Sequence, residues 1–306
     1  MKIQKIITSV NIANDYLTFA PTLCKIWREL HGLDPIVAFI KSDNEDLNYI
    51  CQEYLLKSSC NLITFDKIND ILDNETELIS KSLIDYGIQS KISRMFLAAE
   101  FTDSNNMIVD IDMLPMTSKF LESYHISPED HLVKFGSDHF SFQKHPDIGK
   151  WPMHGTAARG STFREIINPD GLAYEELIRS WVGFPQDPRS NVFNPFHGFS
   201  DESLLKCLHD RWSGKDDRCT TILRTGVDGD YNSEPVYGRL CRSRHHDISN
   251  TDLTKYYECH GPRPFHKNLE WYKQLFNFMG FEKTPTLSFS EKQSIEQSIL
   301  FGASTG

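Results

Sequence analysis

No apolar stretch in this chain approaches the roughly 20 residues that cross a bilayer, so a transmembrane helix is not expected. The opening MKIQKIITSVNIAND begins with charge, but its apolar run is too short for a secretory signal and reads as a first β-strand. None of the seven cysteines (Cys24, Cys51, Cys60, Cys207, Cys219, Cys241 and Cys259) forms a C-x-x-C pair, which excludes a zinc knuckle and argues against a disulfide framework. Reduced thiols in a cytoplasmic setting are the expectation, and the glycosylation sequon Asn74-Glu75-Thr76 is then coincidental. Positive charge is scarce: 32 Lys and Arg face 42 Asp and Glu, leaving a net charge of −10. Long-range repulsion therefore excludes bulk binding to nucleic acid or to an anionic membrane. Repeats, low-complexity tracts and a phosphate-binding G-K-[ST] loop are also missing.

Strands and helices alternate through the first third. Lys5–Val10, Pro35–Ile40, Asn61–Phe65 and Met107–Ile111 are short apolar or β-branched runs. Between them, Tyr16–Leu30, Leu47–Leu56 and Leu83–Phe101 have helical spacing, and Gly32 supplies a helix stop. Strands apolar along their length and separated by amphipathic helices predict an α/β fold with a mostly parallel sheet covered on both faces. Ligands of such sheets sit beyond the carboxyl ends of the strands. After residue 115 the pattern changes: His131–Phe142 reads as an antiparallel strand or hairpin, Gly183–Gly198 as a long loop, and Ser203–Trp212 as a helix.

The strongest chemical signal is Asp110-Ile111-Asp112, directly after the run Met107-Ile108-Val109. In extended chain, residues two apart point the same way, so both carboxylates would leave the strand end together. Adjacent carboxylates repel unless a cation lies between them, and oxygen donors suit Mg²⁺ or Mn²⁺, which would in turn hold a diphosphate. The plainer alternative is that the two aspartates cap the turn before Pro115.

This order of elements (a TSVN strand end, PIVAFI, NLITF, a basic helix, then MIVDIDMLPM) resembles nucleotide-sugar-dependent glycosyltransferases of the GT-A fold. The resemblance covers about the first 120 residues well and continues patchily to about residue 270. It implies a Rossmann-type, mostly parallel sheet with a smaller antiparallel acceptor-side portion. It also implies one domain over 1–280, with a nucleotide-sugar half (1–115), an acceptor half (116–280) and a tail at 281–306. By the resemblance Asp112 would ligate the metal, and Asp110 would contact the ribose, the metal or both. Lys91 or Arg94 would contact the donor, the alternative being a solvated helix face. Thr8, Ser9 and Asn11 sit where the family holds the nucleoside, or else cap the next helix.

Asp201 and Glu202, before an amphipathic helix, fall where inverting members carry the base that takes the acceptor proton. First-turn acids behind a Ser200 cap are the alternative. Glu258–Phe265 (ECHGPRPF) faintly resembles the H-x-x-G-x-x-K-P-W segment of glycogenin-like retaining enzymes, which would make His260 a third metal ligand, with His266 as the alternative, and Arg263 a diphosphate contact. Gly155–Ser161 (GTAARGS) would let the backbone approach a sugar, and Trp151, His154, Trp181 and Trp212 would wall the acceptor, the alternative for the tryptophans being the core. Asp228–Asn232 imitates a calcium loop, but Ser233 and Arg239 stand where glycine and glutamate are needed. His245-His246-Asp247 reads as a basic loop. The implied activity is metal-dependent transfer of a hexose or pentose from a UDP- or GDP-sugar to a glycan hydroxyl. Alternatives are a sugar-nucleotide nucleotidyltransferase, whose Gly-rich basic loop is missing after the first strand, and a non-catalytic nucleotide-sugar-binding protein.

Overall fold

The computed structural model describes residues 1–12, 16–69, 86–125, 127–135, 151, 153–182, 201–222, 238–240, 248–263 and 265–281. The Asn74 sequon, the chain from 136 to 150, the 183–198 loop, Ser200, the Asp228 and His245 segments, and residues 282–306 lie outside this set.

The strands predicted first are all present: β1 (Lys5–Val10), β2 (Ile36–Ile40) and β3 (Asn61–Phe65) run parallel. With β4 (Asn105–Ile108), β6 (Leu132–Phe135), β7 (Thr156–Arg159) and β8 (Cys219–Ile222) they form a seven-stranded sheet, ordered β3-β2-β1-β4-β7-β6-β8. Alternation along β1 sends Ile6 and Val10 into one core, with Leu23 and Trp27 of α1 (Ala20–His31). Ile7 enters the other, with Ile92 and Met95 of α3 (Tyr86–Glu100); α2 (Glu45–Lys57) lies between β2 and β3 in sequence. Each such fully buried side chain stabilises the fold by about 1.5–3 kcal/mol. The chain leaves β1 for β2 over one face and reaches β4 on the other side, which opens a crevice at the carboxyl ends of β1 and β4.

The fourth strand differs from its expected span. It begins at Asn105, and its polar residues are satisfied locally: Asn106 Nδ2 donates to Ala98 O (2.8 Å) and Phe101 O (3.0 Å). After Val109, whose N–H still pairs with Ile7 O (2.9 Å), the chain closes a turn in which Met113 N–H donates to Asp110 O (3.1 Å). Asp110 and Asp112 therefore sit in a turn, and strand alternation does not orient them.

A smaller sheet follows. β5 (Met113–Pro115) pairs antiparallel with β10 (Tyr256–His260), and β9 (Gly238–Leu240) runs parallel along the other side of β10. The register sets His260 opposite Met113 and Glu258 opposite Pro115. Gly261 N–H then donates to Asp112 O (2.8 Å), and a Cβ at Gly261 would lie 2.4 Å from the Tyr272 hydroxyl, so the approach needs glycine. The glycine at 160 is used differently from the sequence expectation. It opens α4 (Gly160–Ile167), and its missing Cβ would lie 2.0 Å from Phe101 O. Residues 156–160 thus pack the sheet against the α3–β4 connection, with Arg159 opposite Asn105 at the far end of β4 from Asp110.

His31, in the last turn of α1, packs against Trp27 with the rings tilted by 38° and centroids 4.8 Å apart, and burial pushes its pKa down to about 4. Between pH 6.5 and 4 the unfolded chain takes this proton and the native chain does not, so stability falls as pH drops through that window. His31→Gln is expected to flatten this part of the profile, read from urea midpoints at pH 7 and pH 5.

Candidate active site

Arg94 is the centre of the polar groups gathered past the carboxyl end of β4. It projects from α3, is 6% exposed, and its Nη1 donates to Val109 O (2.9 Å) and to Asp110 Oδ1 (2.5 Å). Its Nη2 donates to Asp201 Oδ2 (2.7 Å), at the first residue of α5 (Asp201–Arg211). One guanidinium so bridges two carboxylates 91 residues apart in sequence. Burial favours the neutral form of Asp110, but the Arg94 charge and hydrogen bond outweigh it and hold this carboxyl well below the usual range. Burial likewise disfavours the Arg94 cation, and Asp110 and Asp201 together overcome it and raise its pKa.

Asp112 is 4% exposed and meets two groups at and just past the end of β10. His260 Nε2 lies 3.2 Å from Asp112 Oδ2, and Arg263 Nε lies 3.4 Å from the same oxygen. Arg263 is held in turn by Tyr16: its Nη1 donates to the Tyr16 hydroxyl, and its guanidinium carbon sits 4.5 Å from the ring centroid. The structure thus brings Arg94, Asp110, Asp112, Asp201, His260 and Arg263 to one place. Thr8, Ser9 and Asn11 are buried at and just past the carboxyl end of β1, which pairs with β4. Lys91 stands apart: it is exposed, whereas Arg94 one turn on is buried. Glu202 is partly exposed at the start of α5, and its carbonyl accepts from Trp151 N–H (3.2 Å). The side chain of His266 lies outside the described residues.

Trp151, Trp181 and Trp212 are buried in the core and do not line an acceptor wall. His154 is also interior, and its place was not read correctly from the sequence. Its Nδ1 accepts from Asp110 N–H (3.1 Å) and its Nε2 is 2.7 Å from Glu258 Oε2. Tyr16 and Glu258 were not singled out at all. Among the described contacts, Tyr16 meets Arg263 and Glu258 meets His154, each more than 100 residues away in sequence, which local spacing does not encode.

The donor chemistry fits a divalent ion: two carboxylates and an imidazole suit Mn²⁺ or Mg²⁺. The 3.2 Å between Asp112 Oδ2 and His260 Nε2 matches adjacent ligands of an ion bound at about 2.1 Å to each. Asp110 is turned to Arg94, and among the described residues no group of three or more His, Cys, Asp or Glu side chains converges on one point. If an ion were held here, Asp112 and His260 would hold it, and Asp110 would join only by turning from Arg94.

This sheet order, with the crevice at β1 and β4 and the small sheet beside it, is the fold of GT-A glycosyltransferases. The chain superposes on the galactosyltransferase LgtC, solved with donor and acceptor sugar analogs, with a TM-score of 0.50, 12% identity, and coverage of 93% of this chain and 98% of that one. Other similar structures are mouse xyloside xylosyltransferase 1 (TM-score 0.38, 12% identity, 85% and 98% covered) and the glycosyltransferase GlyE of Streptococcus pneumoniae TIGR4 (TM-score 0.45, 11% identity, 98% and 64% covered). No protein-family model and no curated protein sequence matches the chain.

Proposed function

We propose that this protein is a glycosyltransferase that moves a hexose or pentose from a nucleoside-diphosphate sugar, UDP- or GDP-linked, to a glycan hydroxyl, using Mn²⁺ or Mg²⁺. The observation that carries the reading is the convergence of Asp110, Asp112, His260, Arg94 and Arg263 at the crevice end of β1 and β4. Asp112 and His260 hold the ion, with Asp110 as further ligand or ribose contact. The ion's part is to neutralise charge on the departing diphosphate. Arg263, poised between Asp112 and Tyr16, adds a fixed cation for the same oxygens. Thr8, Ser9 and Asn11 line the nucleoside end. Lys91, exposed, is left outside this assignment.

In the transfer the acceptor oxygen forms a bond to the anomeric carbon, the bond from that carbon to the diphosphate breaks, and the acceptor proton passes to a carboxylate or to water. Asp201 is committed to Arg94 and buried, so its role is to orient that cation toward the donor. Glu202, the more accessible of the two, takes the base role if the reaction inverts the anomeric centre.

A thermal-shift panel of UDP, GDP, CMP and dTDP and their sugars, with and without Mn²⁺, tests this. At least one nucleotide is expected to raise the melting temperature only when Mn²⁺ is present. A panel with no metal-dependent shift would refute the donor assignment.

A further inference from the structure

The Asp110–Asp112 turn has a support that the proposed chemistry does not require. His154 and Glu258 are a buried polar pair, with side chains 4% and 3% exposed. Burying such a pair costs free energy that a hydrophobic pair of equal volume would not, so its geometry needs a reason. The hydrogen bonds give one. Asp110 N–H donates to His154 Nδ1 at 3.1 Å, so that nitrogen carries a lone pair. The ring proton is then on Nε2, where it donates to Glu258 Oε2 at 2.7 Å. Both ring nitrogens are used, and only the neutral Nε2–H tautomer satisfies both contacts.

Glu258 and His260 are two apart on β10 and share a face, while Cys259 between them is buried in the core. One strand thus reaches both aspartates. His260 meets the Asp112 carboxylate directly, and Glu258 reaches the Asp110 backbone through His154. The ring of Phe120, tilted 35° with its centroid 6.0 Å away, packs against the imidazole.

We propose that His154 and Glu258 are positioning residues that lock the backbone of Asp110 against β10 and so set the spacing of Asp110, Asp112 and His260 for metal and nucleotide. This rests on the function proposed above, but its first test does not. In the ligand-free full chain, ¹⁵N-imidazole spectra should show His154 as the Nε2–H tautomer. Hydrogen exchange at the Asp110 amide should be faster in His154→Leu and Glu258→Leu than in wild type. An Nδ1–H tautomer, or unchanged exchange in both variants, would overturn the assignment.

The second test uses Mn²⁺ and the nucleotide that performs best in the thermal-shift panel. His154→Leu should weaken metal-dependent binding by about ten- to a hundredfold, as loss of supporting groups behind metal ligands does. Glu258→Gln, which still accepts from Nε2–H, should stay within about threefold of wild type. In an Asp110→Ala background, which keeps the backbone N–H but removes the carboxylate it aims, the effect of His154→Leu should shrink to the part exerted through Asp112 and His260. A fold-stabilising pair without a positioning role would cost melting temperature and leave these binding ratios alone, and that result would also overturn the proposal. Where His154→Leu does not fold, Glu258→Gln and the wild-type tautomer decide. Wild-type protein that binds no nucleotide refutes the glycosyltransferase reading, and the tautomer and exchange data then judge the pair independently.

Discussion

Asp112→Asn is expected to abolish metal-dependent nucleotide binding while the protein stays folded. The amide has the volume of the carboxylate but no charge, and it offers one weak oxygen where the ion requires an anion. A drop of at least about a hundredfold in Mn²⁺-dependent affinity is expected, since even supporting residues cost ten- to a hundredfold. The stability cost is smaller. His260 and Arg263, which lose their anionic partner, are 26% and 28% exposed, and water can solvate them. Such partly exposed pairs contribute about 1 kcal/mol or less. Calorimetric titration with Mn²⁺ and nucleotide beside a thermal melt separates the two quantities. Full binding by a folded Asp112→Asn protein would place the ion elsewhere.

Arg94→Leu should do the reverse and act first on stability. Removing the guanidinium leaves Asp201, 4% exposed, and Asp110 without their shared cation. Breaking a buried ion pair from one side costs on the order of 3–5 kcal/mol. Lysine is not a substitute, because one ammonium cannot span Val109 O and two carboxylates as the planar fork does. The pH dependence gives a second signature. Asp110 has a folded-state pKa lowered by Arg94, so its pairing stabilises the protein above the unfolded carboxylate pKa of about 3.9 and is lost as pH falls through the depressed value. The gap between wild type and Arg94→Leu should therefore be wide at pH 7 and narrow toward pH 3. Urea unfolding at the two pH values checks this, and a gap below about 1 kcal/mol at pH 7 would show that the triad contributes little.

How much of this was legible in the sequence depends on the range of the interaction. β1 and β3 match their apolar runs residue for residue: β1 is buried along nearly its whole length and writes a continuous signal, whereas β3 is a partly exposed edge strand marked by its short run of apolar and β-branched residues. The start of β4 was missed because Asn105 and Asn106 look like loop residues until their side-chain partners are known. Asp110 and Asp112 were found for a partly wrong reason: the carboxylates are oriented by a turn and by Arg94 and His260, not by strand pleating. β10 was read only through its resemblance to a metal-binding segment, and its pairing with β5 could not be inferred from local pattern. His154 and Glu258 are found only when residues 104 apart are brought together. Short-range chemistry is written in the sequence as spacing, whereas a hydrogen bond between distant strands leaves no periodic trace.

The joining of β10 to β5 has a consequence for biosynthesis. A nascent chain that has emerged only as far as β8 already contains every strand of the large sheet. Its Asp112 would still have neither His260 nor Arg263 beside it. A prematurely terminated product would carry the strands of the large sheet yet lack the partners of Asp112 on which the proposed function rests, so under that proposal incomplete translation would yield an idle protein.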